Sequence, residues 1–191
     1  MKRLLIFLGC CVVLSSLCGC HSPNRAVEVI IEGGGDFPDF LVGRWIANGH
    51  GWEFVFEPDG TISSTIINFG RMTITPGQPN PITKEMGGEG IVEPGQWTVY
   101  YSPSTRELTV KISIKRLYLY IDLNENTVEG KSEDVFVGTI SQDNNFWQAY
   151  WTGFPEYTVQ TAGKLNEELT ERLSFDMTVN LTFEKLPPDQ G

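Results

Sequence analysis

The feature of this chain that most constrains its fold is a hairpin pattern between residues 52 and 66. In its first half aromatic residues alternate with glutamate and valine, and this period of two places three rings on one face of a strand. Pro58 fixes φ, Asp59 can hydrogen-bond its own backbone and Gly60 accepts a positive φ, so the chain is predicted to reverse there. The three rings are those of Trp52, Phe54 and Phe56.

The same alternation recurs along most of the 191 residues and is most regular from Leu173 to Phe183. Glycine (20) and proline (11) fall mainly between the apolar runs, which is typical of short strands joined by turns. The apolar parity changes at Lys115-Arg116, and this predicts a bulge or bend because a slip of one residue exchanges the two faces. A spacing of four between Leu165, Leu169 and Leu173 predicts a short amphipathic helix before the last strand.

These patterns predict an all-β fold, an antiparallel meander of about eight to ten strands with one short helix before the last strand. We expect the meander to close into a small barrel, because closure removes exposed strand edges. A two-sheet β-sandwich is the alternative. Residues 76 to 90 are rich in glycine and proline and are predicted to form a long loop.

The first 20 residues are typical of an export signal. Lys2 and Arg3 precede an apolar run from Leu4 to Leu14 that is short for a membrane span. The segment Leu17-Cys-Gly-Cys20 follows and resembles the lipobox of bacterial lipoproteins. This resemblance implies cleavage before Cys20, acylation of that cysteine with fatty acids such as palmitate, and attachment to a lipid bilayer. An ordinary signal peptide that happens to contain cysteine is the alternative.

The chain is predicted to divide into four parts. Residues 1–19 are the signal peptide, 20–39 the lipidated cysteine and a flexible tether, 40–186 the barrel, and 187–191 a C-terminal tail. Within the tether, Val27 to Ile31 is an alternative edge strand. His21 after the cysteine resembles lipoproteins sent to the outer membrane, so the expected location is the bacterial cell envelope, facing the periplasm or the cell surface.

Charge argues against a nucleic-acid partner, and cysteine content argues against stabilisation by an internal disulfide. The formal net charge is −10 at pH 7, and removal of Lys2 and Arg3 with a signal peptide makes it more negative. Because such a body repels nucleic acid, no nucleic-acid partner is expected. All four cysteines lie within the first 20 residues, so we expect the mature chain to fold without an internal disulfide.

Three short segments resemble the lipocalins. Gly43-x-Trp45 is similar to the Gly-x-Trp motif of that family, and the turn from Phe56 to Thr61 and the Gly95-x-Trp97 strand are similar to bacterial lipocalin-like domains. The resemblance implies a calycin-type barrel in which Gly43 and Trp45 close the floor. In the family this tryptophan packs under an arginine from late in the chain, and Arg172 is the candidate here.

Catalytic chemistry is not indicated by any motif. The two histidines, His21 and His50, fall in the predicted tether and in a glycine-flanked turn, and no nucleophile elbow, paired-histidine motif or phosphate-binding glycine loop is present. No cofactor, metal or enzyme activity is therefore expected. Four carboxylates are interpreted as solvated groups at strand ends rather than calcium ligands. They are Asp122, Glu125, Asp134 and Asp143.

Aromatic residues are the candidates for binding a ligand, because such rings form apolar walls in small-molecule sites. The alternative is that they only fill the core. The candidates are Trp52, Phe54, Tyr118, Tyr120, Trp147, Tyr150 and Trp151. The expected function is non-catalytic binding of a small apolar or amphipathic molecule. An envelope assembly module with a solid core, contacting another protein through residues 76 to 90, is the alternative.

Overall fold

The computed structural model describes residues 26–47, 49–67, 72–86, 88–122 and 125–187. The predicted signal peptide, Cys20 and His21 lie outside these residues. Within them the fold is all-β, as predicted, with one short helix before the last strand. The elements are β1 Val27–Ile31, β2 Gly43–Ala47, β3 Glu53–Phe56, β4 Ile62–Ile67, β5 Met72–Ile74, β6 Asn80–Ile82, β7 Glu89–Pro94, β8 Trp97–Ser102, β9 Glu107–Ile121, β10 Asn126–Ile140, β11 Phe146–Thr161, β12 Lys164–Leu165, α1 Glu167–Leu173 and β13 Met177–Lys185, with 3₁₀ turns at Asp39–Leu41 and Lys84–Met86.

Within the described residues, all 13 strands belong to one sheet, which is more strands than the sequence predicts. Consecutive strands are neighbours from β2 to β5 and from β8 to β11, so the meander order is present in two parts. Strand β13 lies between β11 and β2 and pairs antiparallel with both. The C-terminal strand therefore joins the two halves of the meander. No helix in the described parts of the chain has the length and apolar character needed to cross a membrane.

The predicted closure is not present in the backbone hydrogen bonding, because the path of paired strands begins at β1 and ends at β5. The backbone nevertheless passes close to side chains of the other end at two glycines. A methyl group built on Gly77, after β5, would lie 2.7 Å from Cβ of Ala26, before β1. One built on Gly60, in the turn between β3 and β4, would lie 2.7 Å from Cγ1 of Val29 in β1. The sheet is open in its hydrogen bonds, with packing contacts near the opening.

The predicted tether is wrong for Val27–Ile31 and Phe37, which pack on the sheet. Val27–Ile31 forms the edge strand that was the alternative interpretation, and it pairs parallel with β8. Val27 and Phe37 are buried, and the Phe37 ring stacks on Phe56 at 5.9 Å between centroids. The sequence did not reveal this pairing because the partner strand is distant along the chain and no local turn sets the register.

The predicted long loop from residue 76 to 90 is also wrong, because it contains β6 and the start of β7, which pair as a hairpin. Strand β7 continues along the far half of β9. The predicted phase change in β9 is confirmed: Lys115 and Arg116 are both exposed, whereas Ile114 and Leu117 on either side are both buried. Both neighbours of β9 shift register at this point, which identifies a β-bulge.

Candidate functional site

One half of the sheet's interior face is filled by aromatic rings. Trp147 and Phe183 stack with centroids 4.6 Å apart, and Phe54 lies 5.1 Å from Phe136 and 5.4 Å from Phe183. None of these four side chains is exposed to solvent. We call these four residues the aromatic cluster. Rings at these distances and angles gain both apolar burial and favourable ring-to-ring geometry, so this half is a packed core.

The end of the molecule next to the aromatic cluster contains the predicted floor motif. Gly43 begins β2 with a positive φ of 115°, and Trp45 is completely buried. The Trp45 indole donates to the carbonyl of Leu41 at 2.9 Å. The cation above its ring is Lys185, with Nζ 6.0 Å from the centroid, and not the predicted Arg172. Arg172 lies on α1, where it contacts Glu168 at 3.9 Å.

The predicted turn after β3 forms as expected. Asp59 Oδ1 accepts hydrogen bonds from the backbone N–H and the hydroxyl of Thr61, at 3.0 and 2.6 Å. Gly60 has a φ of 80° and its N–H donates to the carbonyl of Glu57 at 2.9 Å. Pro58 precedes them in the turn. The Phe37 ring packs directly on Gly60, so the turn both reverses the chain and receives the N-terminal segment.

The other half of the interior contains a cavity of about 330 Å³. Its boundary with the aromatic cluster is formed by Trp52 and Trp151, whose ring centroids lie 5.3 Å apart. Both of these rings also contact Phe136 of the cluster, at 4.8 and 6.2 Å. The remaining lining is mainly apolar: Ile67, Val92, Ile114, Leu117, Pro155, Leu173, Phe175 and Met177, together with Gly153, Ser132, Asp134, Tyr157 and Arg172.

Asp134 is the acidic group inside this cavity. It alternates with Phe136 along β10 and therefore points to the interior face. Its Oδ1 accepts a hydrogen bond from the Trp151 indole at 2.8 Å. Burial raises the pKa of Asp134 from 3.8 to about 6, because the charged form loses hydration, while the Trp151 hydrogen bond opposes this and Glu133 adds to it. The carboxyl is therefore mainly ionised at neutral pH, although it is poorly solvated.

Two further polar groups accompany Asp134. Burial raises the pKa of Tyr157 above its usual value, so its hydroxyl is neutral, and a hydrogen bond with Ser132 opposes that shift. The indole nitrogens of Trp52 and of Trp147 in the aromatic cluster are both buried and have no hydrogen-bond partner among the described residues. An unsatisfied buried donor costs free energy, and such groups are uncommon in packed cores. Since one of these indoles lies in the cluster and the other beside the cavity, they do not distinguish the two halves; the carboxyl of Asp134 does.

Helix α1 and the residues after it lie over the open side of the cavity. Asn166 caps the helix by accepting from the N–H of Leu169 at 3.0 Å. Thr170 and Ser174 attach the helix to β11, accepting from the N–H groups of Val159 and Tyr157, each at 2.9 Å. No residue of α1 is buried, and Phe175 just after it is 56% exposed. Leu173 and Phe175 line the cavity on this side but remain exposed, so the helix covers the cavity only partly.

The structure separates the predicted ligand-binding residues into three groups. Trp52 and Trp151 line the cavity. Phe54 and Trp147 belong to the aromatic cluster, as the core-filling alternative predicts. Tyr118, Tyr120 and Tyr150 lie on the opposite face of the sheet, and Tyr150 is 62% exposed.

The predicted alternation in β11 is confirmed, with Trp147 and Trp151 inward and Phe146 and Tyr150 outward. Asp134 was missed because it was interpreted as a solvated strand-end group. Its shared parity with Phe136 and Ile140, both fully or almost fully buried, was the available signal that it faces the interior.

The chain was compared with known protein families, curated proteins and solved structures. No protein-family model matches the chain, and neither a curated protein nor a solved structure does.

Proposed function

We propose that this chain is an envelope lipoprotein whose β-domain binds one small apolar or amphipathic molecule, without chemistry, in the cavity between Trp52, Trp151 and α1. The observation that carries this proposal is the contrast within one interior, a packed aromatic cluster beside a space of about 330 Å³ with mostly apolar walls. Spaces of this size, lined by aromatic and aliphatic groups with a few polar ones, are typical of small-molecule sites.

The proposal includes a lipocalin-like barrel as the architecture. Three observations support it: the two-part meander, the adjacency of the C-terminal strand β13 to β2, and the buried Trp45 beneath the cation of Lys185. The lipobox resemblance at Cys20 supports a lipid anchor in the bacterial envelope. In this arrangement the anchor keeps the domain at a membrane, where apolar molecules are concentrated.

Binding can be tested with 1-aminoanthracene, a neutral dye whose emission rises in apolar surroundings. The full mature protein in phosphatidylcholine nanodiscs is titrated with dye, and the signal of protein-free discs is subtracted. We expect saturable binding of one dye per chain. The matched variants are Gly153→Phe, which adds a ring to the cavity side of β11, and Thr152→Phe, which adds the same ring to the outer face one residue earlier.

Gly153 suits this purpose because its φ is outside the left-handed region and a methyl group there would face Asp134, Met177 and Trp151 at 3.2 to 3.6 Å. We expect Gly153→Phe to abolish dye binding and Thr152→Phe to keep it. Absence of saturable binding to the natural chain, or equal binding to both variants, contradicts the proposed site.

A further inference from the structure

The carboxyl of Asp134 faces the cavity without a cationic partner. Among the described residues, the Trp151 indole is its hydrogen-bond donor, and no lysine or arginine forms an ion pair with it. Glu133, the next residue of β10, is paired with Lys111 at 2.7 Å. Charged groups in low dielectric are normally paired with an opposite charge. The carboxylate of Asp134 lies beside an open space and lacks such a counter-charge.

The other side chains around the cavity do not supply a positive charge next to Asp134. Tyr157 on β11 is neutral, and Ser132 on β10 has no charge. The residues that β9 and β13 contribute to the lining, Ile114, Leu117 and Met177, are uncharged. Arg172 of α1 is at the rim, where its side chain is 70% exposed and contacts Glu168. The interior charge of the cavity is therefore that of Asp134.

The walls and the rim favour the same sign of ligand charge. The faces of Trp52, Trp151 and Tyr157 can attract a cation through their ring quadrupoles. Helix α1, two residues of which line the cavity, carries three exposed glutamates and one arginine. The whole chain has a formal charge of −10, which raises the local concentration of cations and lowers that of anions.

We propose that the ligand of this cavity is an apolar amine, whose ammonium group binds the carboxylate of Asp134 while its hydrocarbon part lies against Trp52, Trp151 and Met177. This inference rests on the proposed function and specifies the chemical class of ligand that the site selects. The ammonium group supplies the missing counter-charge, and the apolar part replaces water in the cavity. A fatty acid of the same length would bring a second carboxylate to Asp134 and is disfavoured.

The contribution of the headgroup to affinity can be measured with three molecules that have the same eight-carbon chain: octylamine, 1-octanol and octanoic acid. Each is titrated at pH 7.5 against bound 1-aminoanthracene on the full mature protein in phosphatidylcholine nanodiscs. We expect octylamine to displace the dye at a concentration at least about tenfold lower than octanol, and octanoate to be the weakest. The variant Asp134→Asn keeps the shape and the Trp151 contact but removes the charge, and we expect it to bind octylamine and octanol equally.

The dependence on pH provides a second readout. For the natural chain, octylamine affinity should fall as pH decreases through about 6, where Asp134 takes up a proton, whereas octanol affinity should not fall. The variant should show neither change. Equal displacement by octylamine and octanol on the natural chain, or unchanged amine preference in Asp134→Asn, overturns the amine assignment while dye binding still supports a ligand site. Failure of the dye itself to bind refutes the proposed function instead.

Discussion

The two halves of the interior share strands β10, β11 and β13 but are packed differently. Along β11, Trp147 packs into the aromatic cluster, whereas Trp151, one inward position beyond Ala149, forms the wall of the cavity. Along β13, Phe183 is fully buried and Met177 is half-buried. The rings of the cluster end contact one another, whereas the cavity end borders open space and contains the carboxyl of Asp134; each end has one unsatisfied indole, that of Trp147 and that of Trp52. One end is therefore a packed core, and the other combines mainly apolar walls with a poorly solvated carboxyl.

The largest expected effect is the loss of a ring from the cluster. Phe183→Ala should lower the free energy of unfolding by about 3–5 kcal/mol, because it removes three ring contacts and leaves a void that close-packed neighbours cannot fill. Met177→Ala, on the same strand and face, should cost less than half as much because Met177 already borders open space. Urea unfolding followed by tryptophan fluorescence measures both. Equal losses would show that the two halves are equally packed.

A second comparison concerns the turn that receives the N-terminal segment. Gly60→Ala should destabilise the protein by about 2–3 kcal/mol, because φ is 80° and the added methyl would lie 2.6 Å from Cδ2 of Phe37. Gly163→Ala has a similar φ of 75° but open space around it, so only about 1 kcal/mol of backbone strain is expected. Thermal unfolding measures the stability of both variants, and the difference between them is the cost of the close contact at Gly60 beyond backbone strain. A similar loss in both would mean that residues 26 to 39 contribute little to stability.

The buried carboxyl should make the cavity end sensitive to pH. The folded-state pKa of Asp134 is raised from 3.8 to about 6, so the folded protein binds this proton more tightly than the unfolded chain does. Its contribution is therefore present below about pH 4 and is lost as pH rises through about 6, a difference of about 2–3 kcal/mol. The measured quantity is the free energy of unfolding of the natural chain minus that of Asp134→Asn between pH 4 and 7. A flat or rising difference contradicts the assigned burial.

The smallest expected effect lies at the floor beneath the cluster. Lys185 donates to the carbonyl of Phe40 at 2.7 Å and lies above the Trp45 ring. Lys185→Met keeps the aliphatic stem but removes the donor and the charge, so a loss of about 1 kcal/mol is expected. Lys164→Met, at an exposed position, is the control and should cost less than about 0.5 kcal/mol. Dye binding should be unchanged in both variants, since neither residue lines the cavity.

Much of the fold follows from local pattern. The hairpin around Gly60, the bulge at Lys115-Arg116, the helix before the last strand and the alternation in β11 are each specified by a few neighbouring residues. The errors concern distant pairing. The parallel partner of β1 and the open hydrogen-bond path between β1 and β5 depend on contacts far apart in the chain, for which no local signal exists.

The sequence was also insufficient to locate the candidate site, because which side chains border the cavity depends on how distant strands pair. Of the aromatic residues predicted to bind a ligand, Trp52 and Trp151 line the cavity, but the sequence alone does not distinguish rings that pack together from rings beside a space. Asp134 is the clearest case, since a carboxylate near a predicted strand end is normally solvated. Its true position required the full register of β10, which runs for 15 residues. A buried polar group that contradicts local expectation often marks a functional site.

The central claim is that the cavity end is occupied by a small molecule in the natural protein. Native mass spectrometry of the full protein, purified from its source cells under gentle conditions, tests this most directly. We predict a one-to-one complex with an amine-containing amphipathic molecule for the natural chain and for Thr152→Phe, and a ligand-free mass for Gly153→Phe. A ligand-free mass for all three, or the same bound mass in Gly153→Phe, would contradict the account.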